Sequence, residues 1–113
     1  MNQPTFFDRE AEARGVSAES LLLYALGDFQ ERGKVLAGRD LPLDRLLGAI
    51  RRAAEVFGNL PPGDEECAAT LTALGAQVRR VPTYFAKHPF RVIVPTPLAE
   101  RAREHFLEMK KTD

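Results

Sequence analysis

Between Arg79 and Arg91 the chain carries Arg79, Arg80, Lys87 and Arg91 with no Asp or Glu, and the same thirteen residues hold Tyr84, Phe85, His88 and Phe90. Arginine and lysine bind phosphates or carboxylates, and aromatic rings offer flat surfaces on which bases stack. The whole chain has a formal net charge of zero, so the other hundred residues sum to minus four and the positive charge is concentrated here. Arg79, Arg80, Tyr84, Phe85, Lys87, His88 and Arg91 are therefore the expected contact residues for a protein partner or a nucleic acid. The competing reading assigns Phe85 or Phe90 to anchoring the segment on the core and pairs the arginines with Asp64, Glu65 and Glu66. Surface ion pairs of that kind contribute little each.

Other reactive side chains lack the company that chemistry requires. Cys67 follows Glu65 and Glu66, which oppose thiolate formation, and its spacing to Leu71 and Leu74 places it on an apolar helix face. His88 and His105 are far apart, and with one cysteine they make no zinc signature. Asp8, Glu10 and Glu12 lack the glycine and the ligand spacing of a calcium loop. Gly27, Gly33, Gly38 and Gly48 are dispersed, so no phosphate loop forms, and no nucleophile elbow occurs. The expectation is a protein without enzymatic activity, cofactor or metal.

These residues sit in a chain of 113 residues and 12.6 kDa, 44% hydrophobic and 28% charged, which is the size and balance of one globular domain covering residues 1–113. The single cysteine excludes an intrachain disulfide. The longest apolar run, Leu21 to Leu26, is far short of the roughly 20 residues that span a bilayer, and no basic segment followed by an apolar stretch opens the chain. No membrane contact and a cytoplasmic location are expected. Twelve arginines against four lysines suit a GC-rich bacterial genome.

The elements that must position the basic segment follow from periodicity. Thr5 and Gly15 bracket a short helix over 6–14, or residues 1–14 form a poorly ordered arm. A helix opens at Ser17 and runs to about Val35 on a stripe of Leu22, Ala25, Leu26 and Phe29, with Gly27 and Gly33 as places for a break. Another follows Asp40, with Leu43, Leu46, Leu47, Ile50, Ala53, Ala54 and Phe57 on one face, and stops at Gly58. After the Leu60-Pro61-Pro62 connector, Asp64 caps a helix ending at Gly75. The period then falls to two: Ala76–Pro82 and Phe90–Pro95 read as strands joined through 83–89. Thr96 as N-cap and Pro97 begin a last helix to about Lys110.

The expected fold is thus α+β: three main N-terminal helices, a two-stranded antiparallel hairpin and a C-terminal helix, a loosely winged-helix-like order. Sequence-specific DNA reading fits poorly, because helix 64–74 has no Arg, Lys, Asn or Gln to contact bases. The turn before it is also longer than that of a helix-turn-helix. An isolated hairpin is marginal in water, so it should pack on the helices or join a second copy in a homodimer. The sequence favours a protein-interaction or accessory module; the alternative is a sequence-tolerant nucleic-acid binder acting through 79–91.

Overall fold

In a computed structural model of the protein, which describes residues 15–81 and 90–111, helix α1 (Ala18–Glu31) is the hub. Ser17 caps it as its spacing predicts, its Oγ accepting from the Ser20 N–H at 3.1 Å. Leu21 through Gly27 and Phe29 are all buried, a wider face than the expected stripe. A helix that is apolar on nearly every side is one surrounded by others. Here α2 (Asp44–Phe57), α3 (Asp64–Leu74) and α4 (Thr96–Lys111) all pack on it.

Helix α1 ends at Glu31 rather than near Val35, because Gly33 takes a positive φ of 86° just past the Arg32 cap. It does not break at Gly27. A Cβ there would overlap Phe106 Cβ and lie 2.6 Å from the Ala102 carbonyl oxygen, so the glycine lets α1 and α4 approach closely. Gly58 and Gly75 close α2 and α3 in the left-handed conformation, as the sequence predicts. The cap of α3 is Gly63 instead of Asp64, which begins the first turn with Glu65 and Glu66.

The expected two-stranded hairpin is in fact part of a three-stranded antiparallel sheet. Asp40–Pro42 forms β1, Gln77–Arg80 forms β2 and Phe90–Ile93 forms β3, in the spatial order β1-β3-β2. Asp40 therefore belongs to a strand, and α2 begins at Asp44. Three residues are too few to display a period of two, and Pro42 is admissible because β1 is an edge strand. The described order is α1-β1-α2-α3-β2-β3-α4. Phe90, Val92 and Val94 are buried with Leu41, joining the sheet to the core around Leu22, Leu26, Leu46, Ile50 and Leu71. The proposed helix or arm over residues 1–14, with Asp8, Glu10 and Glu12, lies outside the described residues.

Candidate functional site

The helices cover one face of the sheet, and the strand pleat sends alternate side chains to the other. On that outer face Arg79 of β2 stands directly opposite Arg91 of β3, and Gln77 opposite Ile93. Like charges in direct cross-strand register repel. Asp40 offsets the repulsion: Arg79 Nη2 donates to its Oδ2 at 2.9 Å, and Arg91 Nε donates to its Oδ1 at 2.9 Å. Arg91 Nη2 also donates to the Asp40 carbonyl oxygen at 3.1 Å. Two guanidiniums thus share one carboxylate, and a single positive charge is left over. A shallow depression of about 120 Å³ lies among Asp40, Gln77, Val78, Arg79, Arg91 and Ile93.

Arg80 is directed to the opposite face by the same pleat. Its guanidinium lies 4.6 Å from the centre of the Phe90 ring, and its Nη2 donates to Glu65 Oε2 at 2.7 Å. The ring holds the flat cation from below while α3 supplies the carboxylate. Arg79 and Arg80 are each about half exposed.

Of the seven residues singled out from sequence, the structure brings Arg79 and Arg91 together and places Arg80 behind them. Tyr84, Phe85, Lys87 and His88 lie outside the described residues. The foreseen pairing of the arginines with the acidic start of α3 occurs at Glu65. Asp40, the carboxylate that organises the outer face, was not foreseen, because it is 39 residues from Arg79 in a strand too short to recognise.

Elsewhere the structure places the remaining reactive side chains. Cys67 is fully buried, and burial followed by the nearby Asp64 and Glu66 charges pushes its thiol up to about 11. His105 joins α4 to α1 through a 2.9 Å hydrogen bond between Nε2 and Ser20 Oγ. The pair borders an open groove of about 440 Å³ that includes Ser17, Arg101 and Glu108. A hydroxyl on an imidazole is half of a nucleophilic arrangement, which also needs an orienting group and an oxyanion site. Among the described residues no carboxylate hydrogen-bonds this ring, and both residues sit within regular helix. Burial and then the Arg101 charge lower the His105 pKa from its ordinary value, partly offset by the Ser20 bond. Among the described residues no three His, Cys, Asp or Glu side chains cluster to hold a metal ion.

No protein-family model, curated protein or solved structure matches the chain.

Proposed function

We propose that this protein is a non-enzymatic interaction or accessory module that binds another protein through the outer face and open edge of its sheet. The observation that carries the reading is the Arg79–Arg91–Asp40 cluster. It is a cross-strand set of donors on the outer face of the sheet, with Ile93 beside it as apolar contact. Arginine in a fork geometry favours bidentate recognition of carboxylates, and a neighbouring aliphatic surface adds burial.

The second reading, sequence-tolerant nucleic-acid binding, draws on the four cations and the rings within 79–91. Arg79, Arg80 and Arg91 already bond Asp40 and Glu65, exposed pairs that an incoming phosphate or carboxylate alike must exchange. The acidic first turn of α3 is what weighs against this second reading. In a winged-helix-like docking α3 would approach the duplex, and its first turn is Asp64, Glu65 and Glu66, which repel phosphate.

The deciding experiment is affinity capture from the host with the wild-type chain and an Arg79→Gln/Arg91→Gln variant, each with and without nuclease. A stoichiometric protein that survives nuclease and is lost with the variant is the expected result. Recovery of nuclease-sensitive material alone would favour the second reading. In that case affinity for single strands should fall with salt at a log-log slope of about −2.8 for four phosphate contacts.

A further inference from the structure

Resting on that reading of the sheet, we propose that the free edge of β2 receives an extended acidic segment of another protein as a fourth, antiparallel strand. Backbone parity gives the register. The Leu43 N–H donates to the Phe90 carbonyl at 2.9 Å and the Gly38 N–H to the Val94 carbonyl at 2.8 Å, so the main-chain groups of Phe90, Val92 and Val94 face β1. Hydrogen-bonding direction alternates along an antiparallel strand, so those of Arg91 and Ile93 face β2, opposite Arg79 and Gln77. The N–H and C=O groups of Val78 and Arg80 therefore point away from β3, toward the open edge. Among the described residues no strand pairs there. The Ala76 N–H is taken by the Leu71 carbonyl at 2.9 Å, so docking begins at Val78.

The side chains state the chemistry of the guest. An added antiparallel strand sets successive residues opposite Arg80, Arg79 and Val78. The residue opposite Arg79 falls on the outer face, where two guanidiniums share one carboxylate, and a second carboxylate there gains charge-assisted hydrogen bonds. The residue opposite Arg80 meets a guanidinium whose present partner, Glu65, is 76% exposed, a pair that exchanges at little cost. The residue opposite Val78 falls on the helix side, where Val78 packs against the core, and should be apolar. Read from its N-terminus, the guest is acidic, acidic, apolar. Two antiparallel copies of β2 would instead gather Arg79 and Arg80 of both chains within about one Debye length, which disfavours a second copy.

The test uses the full chain and a blocked octapeptide containing Glu-Glu-Val-Thr, followed by amide hydrogen exchange and fluorescence anisotropy. Without peptide, the Gln77 and Arg79 amides should exchange slowly and those of Val78 and Arg80 fast; saturating peptide should slow the latter two by about tenfold or more. Arg79→Gln should weaken binding about tenfold. N-methylation of the peptide amides that face β2 should abolish it. Val78→Pro removes an N–H that bonds nothing in the sheet, so the fold should persist and binding disappear. If that variant does not fold, the N-methylated peptide answers the same question. Binding that ignores N-methylation, with Val78 and Arg80 still exchanging fast, overturns strand addition and leaves the sheet face as the interaction surface. Absence of binding up to about 1 mM, an affinity of only about 4 kcal/mol, overturns the acidic guest. Concentration-dependent protection of the same amides without peptide makes a second copy the occupant and overturns it equally. Failure of the underlying interaction reading shows separately, as a capture that the Arg79→Gln/Arg91→Gln variant leaves unchanged.

Discussion

Asp40 decides what the two arginines of the outer face can do. With its carboxylate present, Arg79 and Arg91 are held 2.9 Å from one acceptor each. Asp40→Asn leaves both cations in direct register with no counter-charge. The variant should lose up to about 1 kcal/mol of stability, because the pairs are exposed, and bind small anions more tightly than the parent. Denaturant melts and anion titrations check both halves, and an unchanged anion affinity would contradict the account. Cys67 gives a second test. A thiol at about 11 inside the core holds almost no thiolate at neutral pH, so a thiol reagent should modify the native protein only at the rate at which it opens. Rapid modification without denaturant would show that the α3 packing is wrong.

His105 links chemistry to pH. Its pKa is lowered in the fold by burial first and by Arg101 second, so the folded chain favours the neutral ring. The unfolded chain, with a pKa near 6.5, binds the proton more readily below that value. The stability contributed by the neutral ring is therefore present above about pH 6.5 and is lost as pH falls through the folded pKa. Melts across pH 5 to 8 should show this fall, and His105→Gln should flatten it, since a comparison with the parent removes the contribution of His88. A variant as acid-sensitive as the parent would assign the effect elsewhere.

At the scale of elements, the α1–α4 seam is the most exacting contact. Gly27→Ala gains up to about 1 kcal/mol of helix propensity but drives a methyl into Phe106 and the Ala102 carbonyl, and such overpacking costs about 1–3 kcal/mol or more. Net destabilisation is the expected outcome of a urea melt. Stabilisation would mean that the helices are not in contact there. The same glycine shows where periodicity runs out, since sequence alone reads an interior glycine as weakness while the packing reads it as a close approach. Helices α2, α3 and α4 and strand β3 were legible because each has a turn signal and an apolar face of its own, and β2, whose faces are mixed, from the Gly75 stop before it and the change of period. Strand β1 was not, being three residues long and defined only by its pairing with β3. The basic cluster was legible as a composition and its alternation between faces as a period of two, but the placing of Arg79 opposite Arg91 needed the register, and the counter-charge at Asp40 needed the fold. Asn59 was likewise hidden: it ties the entry to α1, donating to the Val16 carbonyl at 2.8 Å and accepting from the Val16 N–H at 3.1 Å.

The molecule as a whole keeps its core on one side of the sheet and the Asp40–Arg79–Arg91 cluster on the other. Aromatic packing of Tyr24 against Phe57 and Phe106 and the Asp28–Arg52 pair bind the helices to one another. The outer strand residues are thereby free to change without loss of the core. Among the described residues no helix is long and apolar enough to cross a membrane. The central claim is that the outer face of the sheet, which carries Arg79 and Arg91, meets another protein. The most direct measurement places a photo-crosslinking amino acid at Gln77, exposed on β2, and in a second variant at Glu55, exposed on α2, and irradiates the host cells. The account predicts a discrete protein adduct from Gln77 that survives nuclease and is absent from Glu55. An adduct from Glu55 alone, or one from Gln77 that nuclease removes, would contradict it.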